Sequence, residues 1–404
     1  TSSRLNTKQE ERNELISTVK LRNSQYSKVV FRADLCNFLI LSQILACAPS
    51  GCHREHLEKK ISRRRLLQGL HLSWCLLLYV ALAAFVYTEY SEQIVNLPTV
   101  QKLLYSCEYV VFLVHVLHIT VKCYRARRKF RRFLLDFLQF DCRLLQFGAA
   151  PEYWRFSRFC HAHAYLPLVV QFLCTLVLGY YVHQCNGSAE FWNFLRSVIG
   201  YMLPNGIVYA SLLQYFGLLY GIARRHSRLN KVLQAELSRG GAELHSSLER
   251  LRELCARLEY FTKLANDAFG PSVLLVYLGS FLNISVGLFL SYRYMDGARD
   301  ANLTSTLYSL LWALMNIGKI FLVLYYNHQV QANTELILNN IESQNMELQE
   351  TVKRFILQLH INTRSSVVCG VVVLNLDFIK SVRKAVILLL LYLRVFFFPF
   401  FFFT

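Results

Sequence analysis

Charged residues are scarce in this chain of 404 residues. Asp, Glu, Lys and Arg together make up 17% of the sequence, whereas hydrophobic residues make up 54%. A soluble surface needs a larger charged fraction than that. Proline and glycine are also sparse, with 7 and 17 residues, which excludes a disordered or low-complexity scaffold. The composition therefore favours a bundle of helices in a lipid bilayer.

Motifs for metal binding, catalysis and nucleic-acid recognition are missing as well. The 12 cysteines are scattered and form no CxxC pair, so neither a zinc site nor a disulfide framework is indicated. There is no nucleophile elbow, phosphate-binding glycine loop or HExxH motif. The net charge of +18 comes from basic clusters between apolar stretches, which is typical of membrane topology. We expect no metal, no cofactor, no enzymatic activity and no nucleic acid, with membrane lipid as a partner.

Six apolar stretches are long enough to cross a bilayer, since a spanning helix needs about 20 residues. They cover residues 66–87, 100–121, 163–182, 198–222, 272–292 and 305–326. A seventh stretch, 367–391, becomes irregular from about residue 380, where basic residues interrupt it. The apolar patch 35–48 is too short to span, and within a cytoplasmic region 1–65 it suits an interfacial helix. We predict an all-α membrane protein with seven transmembrane helices.

Basic residues in the loops predict the orientation of these spans. They are concentrated before the first span and after the second and fourth, whereas the loop 88–99 has none. By the positive-inside rule, the amino terminus is cytoplasmic and the carboxyl terminus extracellular. The two sequons at Asn186 and Asn302 then fall in outer loops, where glycosylation is expected.

The long inner loops carry apolar residues at helical spacing. These loops are 122–162, 223–271 and 327–366. We expect them to extend the spans into a cytoplasmic anchor. Their apolar stripes can pack within one subunit or form an interface between subunits, and the sequence leaves both interpretations open.

Short sequences near the end of the chain carry a family resemblance. They are the run FILQLH at Phe355–His360, the pair Cys369 and Gly370, and the run LNLD at Leu374–Asp377. This stretch is similar to the one that enters the last span of insect gustatory receptors, and the whole architecture also resembles that family. The resemblance implies a plasma-membrane chemosensory receptor for a small-molecule tastant. It further implies that the protein acts as a ligand-gated cation channel. The channel would be a homo- or hetero-tetramer with related receptors, and span seven would line its pore. Pore-region candidates are Cys369, Gly370, Asn375 and Asp377.

The end of the chain departs from that family. Gustatory receptors typically finish the last span with Thr-Tyr, five apolar residues and Gln-Phe, a pattern that does not occur after Ile379 here. Codons for Val382 and Arg383 can read as an intron donor, and the phenylalanine-rich end as a pyrimidine tract. We interpret residues from Val382, including the tail 392–404, as translated intron. A genuine apolar tail is the alternative.

Polar and aromatic residues in the outer halves of the spans are candidates for a ligand pocket. Ionisable groups at membrane depth are costly and mark functional sites or interhelical hydrogen bonds. Aromatic residues there can line a pocket or form an interfacial belt. The candidates are Glu108, Tyr109, Tyr180, Tyr181, Tyr201, Asn205, Tyr292, Tyr308 and Trp312.

Two other functional classes remain as alternatives. A multi-pass transporter should show inverted internal repeats, and the sequence shows none. A membrane enzyme would need the intramembrane His115 and His118 to converge with an acid on another span.

Overall fold

A computed structural model describes residues 61–91, 95, 99–125, 127–149, 153–185, 191–240, 244–295 and 303–342, and after these 353, 356–357, 367–368 and 372–373. Several predicted features lie outside the described residues. They are the interfacial patch 35–48, the sequons Asn186 and Asn302, the pore candidates Cys369, Gly370, Asn375 and Asp377, and the tail 392–404.

Helices form almost all of the described structure. They are α1 (Ile61–Glu89), α2 (Thr99–Arg125), α3 (Arg127–Leu145), α4 (Tyr153–Cys185), α5 (Phe191–Arg239), α6 (Leu244–Met295) and α7 (Leu303–Glu342). Two strands of two residues, β1 (Val367–Val368) and β2 (Val372–Val373), pair antiparallel. The predicted all-α class is therefore confirmed for the part of the chain that the structure describes.

Five helices within the described ranges are long and apolar enough to cross a bilayer, namely α1, α2, α5, α6 and α7. The outward faces of α1 and α2 support a lipid environment. Leu77 and Val80 on α1, and Leu103 and Val110 on α2, are largely exposed. Such contiguous apolar surface is unfavourable in water but not in lipid. The chain is a multi-pass helical membrane protein.

Helices α5, α6 and α7 are much longer than a membrane crossing. They contain 49, 52 and 40 residues, which corresponds to about 74, 78 and 60 Å at a rise of 1.5 Å per residue. The hydrocarbon core of a bilayer is only about 30 Å thick. These helices therefore continue well beyond the membrane, on the side of the predicted inner loops.

Beyond the membrane, α3 packs against α5 and α6 through an aromatic cluster. Phe133, Phe137 and Phe140 of α3 are buried, and their rings lie 5.4, 5.5 and 6.2 Å from the ring of Phe261 on α6. Three to four residues separate each phenylalanine from the next, so all three occupy one face of the helix. The apolar stripe of this loop packs within the chain.

A buried ion pair also attaches α3 to α5. Arg225 donates from Nε to Asp141 Oδ1 at 2.7 Å, and its Nη2 donates to Oδ2. The guanidinium lies 3.8 Å from the ring centre of Phe137, and its Nη1 donates to the Gly221 carbonyl at 2.9 Å. This bidentate geometry is the strongest form of charge-assisted hydrogen bonding.

Two glycines shape the bundle, one by ending a helix and the other by allowing two helices to pack closely. Gly240 follows α5 with φ of 61° and donates its amide to the Glu236 carbonyl at 3.3 Å, which ends the helix in the left-handed conformation that glycine favours. Gly287 of α6 lies against α7, where an added Cβ would be 2.9 Å from the Ser309 carbonyl oxygen. The absence of a side chain there allows the carboxyl-terminal half of α6 and the amino-terminal half of α7 to approach closely.

Candidate ligand-binding site

A buried polar network joins α5, α6 and α7 within the membrane. Lys319 of α7 donates to Asn205 Oδ1 of α5 at 2.9 Å and to Asn316 Oδ1 at 3.2 Å. Ser280 of α6 also donates to Asn316 Oδ1 at 3.2 Å. All four side chains are buried. Since lipid offers no hydrogen-bond partners, these contacts fix how the three helices face one another.

Glu108 attaches α2 to the same region. It is 7% exposed, and its Oε1 accepts a hydrogen bond from Asn283 Nδ2 of α6 at 2.8 Å. Asn283 Nδ2 also donates to the Gly279 carbonyl at 3.1 Å. The described residues show no direct ion pair between Glu108 and Lys319. Each of the two side chains is instead hydrogen-bonded to amide side chains.

An aromatic wall lies beside this network. The rings of Tyr308 and Trp312 on α7 meet edge to face, with centroids 6.1 Å apart. The Trp312 carbonyl accepts a hydrogen bond from Asn316 Nδ2 at 2.9 Å. Apolar rings with polar tips are well suited to contact a small organic molecule.

An apolar cleft opens between α1, α2 and α5. Its free volume is about 10 Å³, which is enough for about one water molecule. Its wall includes Leu82 and Val86 of α1, Tyr109, Phe112 and Leu113 of α2, and Asn205 of α5. Asn205 is the shared element, because it lines the cleft and also accepts the hydrogen bond from Lys319. Asn205 therefore connects the wall of the cleft to the polar network.

The structure brings five of the predicted pocket residues into this region and separates two others from it. The five that lie at the network or the cleft are Glu108, Tyr109, Asn205, Tyr308 and Trp312. By contrast, Tyr180 on α4 is 55% exposed and Tyr292 is half-buried at the outer end of α6. Tyr181 and Tyr201 lie on α4 and α5, and their side chains are outside the described residues. Ligand contact by any of these residues stays a prediction.

The sequence-based pocket candidates did not include four polar residues of the network, namely Ser280, Asn283, Asn316 and Lys319. The sequence does contain amide and hydroxyl residues at similar depth on different spans. Such residues tend to form hydrogen bonds between helices, so this pattern could have indicated the network.

A second polar layer lies nearer the inner ends of the same helices. Tyr215 of α5 donates to Asn266 Oδ1 of α6 at 2.8 Å, and Asn327 Nδ2 of α7 donates to the Tyr215 hydroxyl at 2.9 Å. On the α4 side, the Tyr326 hydroxyl and His163 Nε2 are 2.8 Å apart. His163 Nδ1 donates to the Phe159 carbonyl at 3.1 Å, so Nε2 accepts from the tyrosine. This inner layer holds α4, α5, α6 and α7 together below the cleft.

The histidines that an intramembrane enzyme would need do not form a catalytic group in the described part of the chain. The Nε2 atoms of His115 and His118 are buried without a hydrogen-bond partner there. The described residues also contain no group of three or more His, Cys, Asp or Glu side chains that could hold a metal ion.

Long apolar helices, a lipid-facing surface and a polar site buried within the membrane define a multi-pass helical receptor-like bundle. The family model described as 7tm chemosensory receptor matches residues 35–394. The chain belongs to this family and, as the resemblance implied, to its insect gustatory receptors. Its function is accordingly that of a chemoreceptor.

Curated relatives agree with this membership, and solved structures show a similar fold. "Putative gustatory receptor 59f" of Drosophila melanogaster is 28% identical over 324 residues, covering 80% of this chain and 78% of that protein. "Putative gustatory receptor 59e" of the same species is 25% identical over 364 residues, covering 83% and 87%. The insect olfactory receptor OR5 from Machilis hrabei has a similar fold, with a TM-score of 0.62, 11% identity, and coverage of 91% of this chain and 99% of that chain. For its structure in complex with eugenol, the TM-score is 0.64 and the sequence identity 11%, with coverage of 91% of this chain and 98% of that chain.

Proposed function

We propose that this chain is a gustatory receptor of the plasma membrane that detects a small tastant and acts as a ligand-gated cation channel. The observation that carries the proposal is the connection between the apolar cleft and the buried network through Asn205. A molecule in the cleft would contact α1, α2 and α5, and through Asn205 it would influence α6 and α7 as well. It can favour an open state only by binding that state more tightly than the closed one.

The proposed topology has seven spans, a cytoplasmic amino terminus and an extracellular carboxyl terminus. The pore is assigned to the seventh span around Cys369, Gly370, Asn375 and Asp377, at the axis of a homo- or hetero-tetramer with related receptors. Support comes from family membership and from the three long helices, whose extensions provide ample surface beyond the membrane. A small organic ligand is supported by the solved relative, whose structure contains eugenol.

The test is to record currents from cells that express the full chain, alone and with related receptors. A panel of small tastants should evoke a cation current in at least one combination. Asn205→Ala removes the polar side chain that joins the cleft to Lys319, so we expect the half-maximal tastant concentration to rise at least about tenfold. Leu77→Ala, on the exposed face of α1, serves as the control and should respond normally.

Two results would contradict the proposal. One is absence of current across the panel although the chain reaches the cell surface in every combination. The other is a current whose tastant dependence is the same in the Asn205 variant and in the wild type. Uptake of a tastant without any current would instead support the transporter class.

A further inference from the structure

The exposed side of α4 changes character along the helix. Tyr165, Val169 and Phe172 are 45%, 51% and 46% exposed. Positions three, four or seven residues apart share one side of a helix, and Arg158 and Trp154 continue this series towards the amino-terminal end of α4. One side of the helix therefore presents apolar and aromatic side chains along its length and an arginine with an indole at its beginning.

Two guanidinium groups contact the same indole at that end. The Cζ atoms of Arg155 and Arg158 lie 5.1 and 4.7 Å from the centre of the Trp154 ring, and all three side chains are exposed. Within the described part of the chain, the guanidinium of Arg158 forms no hydrogen bond or ion pair. Two like charges are thus held close together, an arrangement that an anion between them would stabilise.

A third arginine lies at the same level on the neighbouring helix. Tyr220 of α5 stacks on Phe159 of α4, with ring centroids 4.1 Å apart and planes at 5°. Arg224 donates from Nε to the Tyr220 hydroxyl at 3.0 Å, and its side chain is exposed. Since Phe159 directly follows Arg158 in the chain, Arg224 adds positive charge near the same end of α4.

The depth of these charges matches the headgroup layer of a bilayer. Tyr180 is exposed near the other end of α4, and Arg158 is roughly 33 Å from it along the helix axis at 1.5 Å per residue. The hydrocarbon core is about 30 Å thick. With Tyr180 at one interface, Arg158 therefore lies at the other, which the proposed topology assigns to the cytoplasmic leaflet. The side chains between them face acyl chains.

We propose that this end of α4 binds an anionic phospholipid of the cytoplasmic leaflet whose headgroup carries a phosphate monoester. The phosphate lies between Arg155 and Arg158, and the acyl chains follow the apolar side of the helix. A phosphate monoester carries a charge of about −1.5 to −2 near pH 7, which balances two guanidinium groups. The N–H fork of arginine also matches phosphate oxygens in a bidentate manner. Only the choice of leaflet rests on the proposed function and its topology.

The test counts the lipids that stay bound to the purified full chain by native mass spectrometry. The chain in detergent is incubated with an equimolar mixture of phosphatidic acid, phosphatidylserine and phosphatidylcholine that share the same acyl chains. Phosphatidic acid has a phosphate monoester, whereas the other two are diesters with an anionic and a zwitterionic headgroup. We expect bound phosphatidic acid to exceed each of the other lipids at least about threefold.

Paired variants assign this preference to the two arginines. Arg155→Gln combined with Arg158→Gln should abolish it. The control, Arg252→Gln combined with Arg257→Gln, removes the same charge from the extension of α6, roughly 20–30 Å before its predicted span, and should keep the preference. None of these four side chains is buried, so all variants should unfold near the wild-type temperature.

Competition identifies the source of the phosphate. Glycerol 3-phosphate and inorganic phosphate carry the same group without acyl chains, and neither should displace phosphatidic acid at equal concentration. Displacement by either would refute a membrane lipid as the partner. The site would be refuted if phosphatidic acid bound no more than phosphatidylserine, or if the preference survived loss of both arginines. Absence of tastant-evoked current would contradict the proposed function alone, since counting bound lipids requires no current.

Discussion

Replacing Arg225 by methionine would leave the Asp141 carboxylate buried without its partner. Asp141 is 0% exposed and accepts two hydrogen bonds from the guanidinium. Removing one member of a buried ion pair typically destabilises a protein by about 3–5 kcal/mol. Because 1.4 kcal/mol corresponds to a factor of ten, the ratio of folded to unfolded chain should fall by roughly two to four orders of magnitude.

Removing both charges should restore most of the loss. In the double variant Asp141→Leu with Arg225→Met, neither charge remains to be desolvated. Replacement of whole buried pairs by apolar residues is often neutral or stabilising, by up to about 4 kcal/mol. The double variant should therefore unfold near the wild-type temperature or above it, although Asp141→Leu alone should be about as unstable as Arg225→Met.

The measurement is the unfolding temperature of the detergent-solubilised full chain, followed by the loss of the monodisperse peak after heating. Arg143→Met is a matched control, since Arg143 of α3 pairs with Glu253 of α6 at 3.3 Å, but on the surface. Exposed pairs contribute at most about 1 kcal/mol. The reasoning would be refuted if Arg225→Met lost no more stability than Arg143→Met, or if the double variant were as unstable as the single ones.

Three further perturbations have defined outcomes. Gly287→Leu should separate α6 from α7 and destabilise the chain by about 1–3 kcal/mol, because even a Cβ would be 2.9 Å from the Ser309 carbonyl oxygen; an unchanged unfolding temperature would contradict that close approach. Burial lowers the pKa of His226 from 6.5 to about 4. The free energy of unfolding should therefore be highest above pH 6.5 and fall by on the order of 3 kcal/mol as the pH drops towards 4. In His226→Gln, the unfolding temperature should change little between these two pH values. Phe269→Leu should lower the unfolding temperature and Phe269→Trp should not, since the Lys122 ammonium lies 3.3 Å from the Phe269 ring centre in a cation–π contact; equal losses in both variants would exclude that contact as the cause.

The membrane class, the helical fold and the family could be predicted from the sequence. Each depends on properties that add up along the chain, such as hydropathy over about 20 residues and apolar residues at helical spacing. The phenylalanine stripe of α3 shows the limit of such patterns. Its spacing predicted one apolar helix face, but only the structure showed that this face packs on Phe261 within the same chain.

The candidate site was only partly predictable. Glu108 and Asn205 stand out in the sequence because polar residues are rare in apolar spans. Which residues pair with them does not follow from the sequence, because Asn283 is 175 positions from Glu108 and Lys319 is 114 positions from Asn205. Tyr180 was a candidate that the structure leaves at the surface. An aromatic residue near a span end can face a pocket or lipid, and the side chain of Tyr180 is exposed.

The sequence by itself determined that the chain is a membrane helix bundle and which chemosensory family it belongs to. Local composition and spacing suffice for that, because each helix must satisfy its own backbone in lipid. Only the tertiary structure decided which polar side chains meet, that the cleft ends at Asn205, and that Glu108 and Lys319 stay apart. Those features depend on how each helix is rotated about its axis and shifted against its neighbours. Packing between residues distant in the chain sets both.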